Sequence, residues 1–223
     1  MSRSVVVFTK PARPGEVKTR LIGDLSAQDA ADLHAAFIDD VCSRLRDWGG
    51  PVSIAWALGA GEETPSEPYP GFRQEGADLG ERLFHGLARA LESSEQAVAV
   101  GSDHPDLPRE RWDEAFDHLD QGTDVVLGPA DDGGYYLVGV ARGSLRRRLF
   151  EGIAWSTDAV LATTLERCRE LRLSVGLLAM ESDVDTPSDL KRLIGRLRGG
   201  SRAHCPATCR TLERLSLWPQ GSW

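Results

Sequence analysis

The residues with most chemistry to offer in this 223-residue chain fall in polar clusters that each stand directly behind an apolar run. TKPARPGEVKTRL follows Val5–Phe8, GSDHPDLP follows Ala97–Val100, PADDGGYY follows Val125–Gly128, and ESDVDTPSDL follows Ser174–Met180. The first cluster places a glycine and two fixed cations, Lys18 and Arg20, between a strand and a helix expected to open near Ser26. Backbone N–H groups, cations and a helix N-terminus are the means by which a loop holds phosphate, although such a loop alone is also compatible with plain solvated charge. Asp103 and Asp185 come from two other clusters. A pair of carboxylates, completed by phosphate oxygens and water, makes the oxygen octahedron that Mg²⁺ prefers. Taken singly, Asp103 also reads as an N-cap before Pro105 or Pro108, and Asp185 as a turn residue before Thr186-Pro187.

Two further segments carry polar groups beside glycines. In DDGGYYLVG, Gly133 and Gly134 leave room for a ligand at the backbone, between Asp132 and Tyr135; an ordinary Asp-Gly turn into a strand explains the same residues. In QEGADLGERL, Gln74, Gly76, Asp78, Gly80 and Arg82 start a helix that could contact a base, ribose or phosphate, or could be a plain helix N-terminus with an acidic first turn.

Positioning these groups requires an alternation of strands and helices. Ser26 and Asp29 read as an N-cap and its acidic third position, opening a helix with Leu33, Phe37, Val41 and Leu45 on one face. A strand is expected at Val52–Leu58, an exposed loop at Gly59–Gly76, and a second amphipathic helix with Leu79, Leu83, Leu87 and Leu91. The strand Ala97–Val100 leads to a helix with Pro108 at its first position and Trp112, Phe116 and Leu119 on its apolar face. Strands at Val125–Leu127, Tyr136–Val140 and Ser174–Ala179 and helices at Asp158–Leu171 and Ser188–Leu197 complete the pattern of a mainly parallel α/β sheet. In such a sheet the carboxyl ends of the strands share one edge, so the polar clusters should converge there.

Composition agrees. A 41% hydrophobic content is that of a globular chain, and a formal charge of −8 argues against nucleic acid and anionic membrane surfaces as partners while admitting small anionic ligands. MSRSVVVFTK has no signal pattern and no apolar run approaches a membrane span, so a cytoplasmic protein is expected. Cys42, Cys168, Cys205 and Cys209 are scattered, and HCPATC is a weak metal signal. After Gly199–Ser201 comes a short tail with a helix expected at Thr211–Leu217, where Trp218 and Trp223 could pack on the domain or on a second copy in a homodimer.

Together FTKPARPGEVKTRL, QEGADLGERL, GSDHPDLP, GPADDGGYYLVG, the IAWST segment at Ile153–Thr157 and DVDTPSDL resemble a bacterial family of GT-A-fold glycosyltransferase-like proteins associated with arsenosugar biosynthesis and long treated as a domain of unknown function. The resemblance spans roughly residues 3 to 197. It implies an α/β, three-layer, Rossmann-like nucleotide-diphosphosugar transferase (GT-A) fold with a mainly parallel mixed sheet over residues 1–198, followed by a tail at 199–223. The KTRL loop is also similar to that of phospholactate guanylyltransferases, and DTPSDL to a motif of several nucleotidyltransferases. The resemblance implies that Asp103 and Asp185 ligate Mg²⁺ or Mn²⁺, with Asp183 a poorer substitute. Asp103, Asp132 and Lys18 form the expected catalytic set. Thr9, Lys10, Gly15, Arg20, Gln74, Gly76, Asp78, Gly80, Arg82, Gly133, Gly134 and Tyr135 are the expected substrate-binding residues. His104 stands where the family more often has a small residue or Cys, and is left outside the catalytic set.

Two reactions meet these demands. In glycosyl transfer a nucleoside diphosphosugar binds through its diphosphate and a small-molecule acceptor hydroxyl attacks, with a base such as Asp132 if the reaction inverts. In nucleotidyl transfer a substrate phosphate attacks the α-phosphorus of an NTP and pyrophosphate leaves. Both must stabilise charge on a departing diphosphate. A binding-only protein has less need of this combination of cations and carboxylates.

Overall fold

The computed structural model describes residues 1–65 and 71–218; Trp223 lies outside them. The apolar run near the N-terminus forms β1 (Arg3–Thr9), and its near-continuous burial is that of a parallel strand covered on both faces. Helix α1 (Ala27–Trp48) follows, capped by Ser26, whose hydroxyl accepts from the Asp29 N–H. Then come β2 (Val52–Trp56), β3 (Gly71–Arg73), α2 (Leu79–Leu91), β4 (Gln96–Gly101), α3 (Glu110–Asp120), β5 (Val125–Pro129), β6 (Tyr135–Ala141), α4 (Val160–Glu170), β7 (Val175–Leu177), α5 (Pro187–Arg198) and α6 (Pro206–Arg214).

The sheet order is β3-β2-β1-β4-β6-β5-β7. Among the described strands only β6 runs antiparallel to its neighbours, so β1, β4, β5 and β7 all point the same way and their carboxyl ends share one edge. This is a mixed, mostly parallel, three-layer α/β fold. One core packs α1 and α3 on the sheet through Ile38, Val41, Trp112 and Phe116; another packs α2 and α4 on the opposite face through Leu83, Leu87 and Cys168. A third joins α1, α5 and α6 through Phe37, Leu193 and Leu212. No described helix is long and apolar enough to cross a membrane.

Several expected elements shift. The stretch expected as loop at Gly59–Gly76 contains β3, a three-residue strand whose Gly-Phe-Arg sequence carries no alternating pattern and which exists by pairing with Ile54–Trp56. The helix after Pro108 begins at Glu110, behind an Arg109 N-cap. The tail helix begins at Pro206 rather than Thr211, because Asp40 of α1 accepts the N–H groups of Ala207 and Thr208 at 2.9 and 2.7 Å and caps it from outside. Leu79, expected on the apolar face of α2, is exposed, unlike Leu83, Leu87 and Leu91.

Candidate functional site

Beyond the carboxyl ends of β1, β2, β3 and β4 lies a cavity of about 400 Å³ whose lining includes Thr9, Lys10, Lys18, Arg20, Gln74, Arg82, Asp103 and Asp185. Each is delivered by local structure. Thr9 ends β1, Asp103 stands two residues past β4, and Gln74 directly follows β3. Asp185 precedes the capping box of α5, in which Thr186 and Asp189 satisfy each other's backbone and Pro187 takes a first-turn position. The Asp189 carboxylate also accepts the Asp185 N–H at 3.1 Å, and the Val184 N–H donates to the Asp103 carbonyl at 3.1 Å, so the two carboxylate-bearing segments are tied together.

Lys18 sits in the left-handed backbone region, φ 46°, at the head of a short 3-10 turn over Thr19–Leu21. This unusual conformation for a non-glycine residue turns its side chain inward, where it is only 3% exposed. Lys18 Nζ donates to Asp103 Oδ1 at 2.5 Å and to Asp185 Oδ1 at 2.9 Å, and lies 5.5 Å from the centre of the Phe37 ring. Burial works to lower the Lys18 pKa, but the charges of Asp103 and Asp185 outweigh it and raise the value above the ordinary one. Burial likewise opposes ionisation of Asp103, and the Lys18 ammonium more than compensates, holding that carboxyl below its usual range. The expected phosphate lysine is therefore engaged by carboxylates, while Arg20, Lys10 and Arg82 are the other cations on the wall.

The two carboxylates fit a hard divalent cation, since their oxygens already converge on one positive charge. Among the described residues no group of three or more His, Cys, Asp and Glu is arranged around a metal position. Asp103 and Asp185 are the protein groups that would hold such an ion, the ligand and water supplying the rest. Asp183, on the same segment, is pushed up to about 7 by burial and by the charges of Asp185, Asp132 and Asp103.

The other expected site residues fall outside the cavity lining. Gly15 adopts φ +81° in open space, as a turn residue. Gly76, at φ +138°, has no room for a Cβ against Glu81, and Asp78 caps α2 by accepting the Glu81 N–H at 2.9 Å. A Cβ on Gly80 would lie 2.5 Å from the Phe150 carbonyl, and one on Gly133 would lie 2.3 Å from that of Asp158. The Gly134 N–H donates to Asp132 Oδ1 at 2.8 Å, closing a turn. Tyr135 packs edge-on against Trp155 beneath α2 and α4. The glycines at 80 and 133 thus have packing reasons for their presence.

The N-terminus of α1 also lies outside the lining, because the 3-10 turn and the Ile22–Leu25 bridge carry the chain away before the helix starts. What α1 contributes is His34, absent from the expected set. Its Nε2 lies 3.2 Å from the Lys10 carbonyl, which can only accept, so Nε2 carries the hydrogen; Nδ1 stands 3.9 Å from Asp103 Oδ1. Burial is the chief cause of its lowered pKa, which keeps it neutral. A polar residue between Leu33 and Phe37 on a buried helical face is the sequence signal that would have found it. Ser102, whose Oγ lies 2.8 Å from Thr9 Oγ1, completes the wall.

Comparison with known proteins places the fold. The family model for uncharacterized proteins conserved in bacteria, DUF2064, matches residues 60–157. No curated protein sequence matches the chain. Among solved structures, a candidate nucleotide-diphospho-sugar transferase from Desulfovibrio desulfuricans G20 is similar with TM-score 0.87 and 32% identity over 98% of this chain and 99% of that one. The 4-diphosphocytidyl-2C-methyl-D-erythritol synthase of Anaerococcus prevotii DSM 20548 is similar with TM-score 0.54 and 12% identity, over 88% of this chain and 98% of that one. Rv0371c of Mycobacterium tuberculosis H37Rv, in complex with manganese, gives TM-score 0.51 and 18% identity over 86% and 98%.

Proposed function

The chain belongs to the same family as the Desulfovibrio desulfuricans G20 protein, and on that premise we propose that it is a metal-dependent glycosyltransferase using a nucleoside diphosphosugar and a small-molecule acceptor. The observation that carries this reading is the convergence of Asp103 and Asp185 on one cation at a cavity walled by Lys10, Arg20 and Arg82. A divalent ion held by the two carboxylates, Mg²⁺ or Mn²⁺, would supply electrostatic stabilisation of the departing diphosphate. Arg20 and Arg82 orient the phosphates through charge-assisted hydrogen bonds. His34, neutral, holds the Lys10 carbonyl and so the backbone at the end of β1.

The relationship to the Desulfovibrio desulfuricans G20 protein, described as a candidate nucleotide-diphospho-sugar transferase, supports glycosyl over nucleotidyl transfer. The charges of Asp185, Asp132 and Asp103 act together with burial on Asp183, which makes Asp132, Asp183 and Asp185 one group of carboxylates. Asp132 is the exposed member of that group and acts as base on the acceptor hydroxyl if the reaction inverts.

The test is thermal unfolding with NTPs and nucleoside diphosphosugars, each with and without Mg²⁺. A ligand at 100 times its Kd stabilises by about 2.7 kcal/mol, or roughly 5–10 °C for a chain of this size. A Mg²⁺-dependent rise with a diphosphosugar, lost in Asp103→Asn, is the expected result. A rise restricted to an NTP would favour nucleotidyl transfer, and no rise with any ligand would overturn both.

A further inference from the structure

We propose that His34 is a further protein ligand of the divalent ion, joining Asp103 and Asp185 through the lone pair of its Nδ1. The proposal rests on the cation site read above from the two carboxylates, and it adds a nitrogen donor to an otherwise all-oxygen set.

His34 sits on α1 between Leu33 and Phe37, both members of the third core, yet it lines the cavity and is only 5% exposed. A polar ring so placed needs a partner at each nitrogen. Nε2 has one, since its hydrogen goes to the Lys10 carbonyl at 3.2 Å, with Thr9 Oγ1 beside it at 3.3 Å. Burial keeps the ring neutral, so this single hydrogen leaves Nδ1 a bare lone pair. Nδ1 is itself buried and has no hydrogen-bond partner. Asp103 Oδ1 lies 3.9 Å from it, and that atom is another acceptor. Two acceptors held so close out of water repel each other unless a cation stands between them.

Lys18 serves the carboxylates as that cation, but none of its N–H groups bonds to Nδ1. With the ammonium in place, no three such groups among the described residues are gathered around a metal position. A divalent ion that takes the place of the ammonium changes this. Two metal–ligand bonds of about 2.1 Å span up to about 4.2 Å, so one ion can bridge two atoms 3.9 Å apart. The ring also has the support that ligating histidines carry: a second N–H donated to a main-chain carbonyl, which fixes the tautomer and aims the free nitrogen. The Lys10 carbonyl supplies it. An imidazole nitrogen in the set moves the preference of the site from Mg²⁺ toward Mn²⁺ and Co²⁺.

The experiment is electron spin-echo envelope modulation of Mn²⁺ bound to the whole protein with pyrophosphate, a diphosphate that contains no nitrogen, the histidines being either unlabelled or labelled with ¹⁵N. We expect the coupling of a directly bound ¹⁴N, replaced by that of ¹⁵N in the labelled protein and lost in His34→Phe, shown to be folded by its melting curve. His34→Phe should also bind Mn²⁺ about tenfold or more weakly, and its preference for Mn²⁺ over Mg²⁺ should narrow. Bound Mn²⁺ with no histidine coupling, or a coupling that persists in His34→Phe, would overturn the assignment of His34 and leave the ion on the two carboxylates. No binding of Mn²⁺ with pyrophosphate would remove the ion and this ligand together. The wild-type spectrum needs no variant, so an unstable His34→Phe would not shield the proposal.

Discussion

Lys18 Nζ lies 2.5 Å from Asp103 Oδ1 although the two residues are 85 positions apart in the chain. Their ion pair places a buried ammonium where the two carboxylates would hold a divalent ion, so ion and ammonium compete for the same oxygens. A nucleotide phosphate offers the ammonium another partner. Mn²⁺ should therefore bind weakly alone and about tenfold or more tighter with nucleotide, a gain of roughly 1.4 kcal/mol. In Lys18→Met, Mn²⁺ should bind more tightly without nucleotide and lose most of that gain. Electron paramagnetic resonance of free Mn²⁺ measures both, and equal nucleotide-free affinities would separate Lys18 from the cation position.

Asp40 anchors the tail. Its buried carboxylate caps α6 from α1, and α6 contributes Cys209 and Leu212 to the third core. Losing a cap of this kind costs about 2 kcal/mol, which lowers Tm by roughly 4–8 °C. Calorimetry of Asp40→Ala should show that fall, and limited proteolysis should cut first near residue 200. An unchanged melting temperature would mean that packing alone holds the helix.

Acid should loosen the far side of the sheet through Asp124. Hydrogen bonds from Ser144 Oγ and from the Ser174 N–H and hydroxyl hold this carboxyl below its usual range. The folded pKa lies under the unfolded one, so the stabilisation is complete above about pH 4 and is lost as pH falls through the depressed value. Urea midpoints of the wild type and Asp124→Asn should differ at pH 7, and the gap should narrow as pH falls below about 4. A constant gap across that range would show that the carboxylate charge is not involved.

Gly133→Ala separates packing from ligand contact. The new Cβ would meet the Asp158 main chain at φ +88°, for an expected loss of about 2 kcal/mol in unfolding experiments. Nucleotide affinity should change little, since Gly133 is outside the cavity lining. A large loss of affinity in a variant of normal stability would return Gly133 to the ligand site.

What the sequence determined by itself were the features with local causes. Continuous apolar runs specified β1, β4 and β5 as strands covered on both faces, Ser26 and the Thr186-Pro187-Ser188-Asp189 box marked helix starts, and strand alternation placed Asp103 and Asp185 at one edge. Gln74 and Arg82 were legible only as members of the QEGADLGERL segment, read as a helix start that could contact a ligand or be a plain N-terminus. Tertiary structure alone decided which partners these groups take. Lys18 could be read as a cation in a loop, but its burial against two carboxylates depends on residues 85 and 167 positions away. β3 exists only through its pairing with β2, α6 starts where Asp40 caps it, and His34 reaches the cavity because α1 crosses behind β1. Periodicity and capping act within a few residues of chain, whereas the pairing of buried charges and the matching of sheet edges act across space, between segments whose separation no local pattern records.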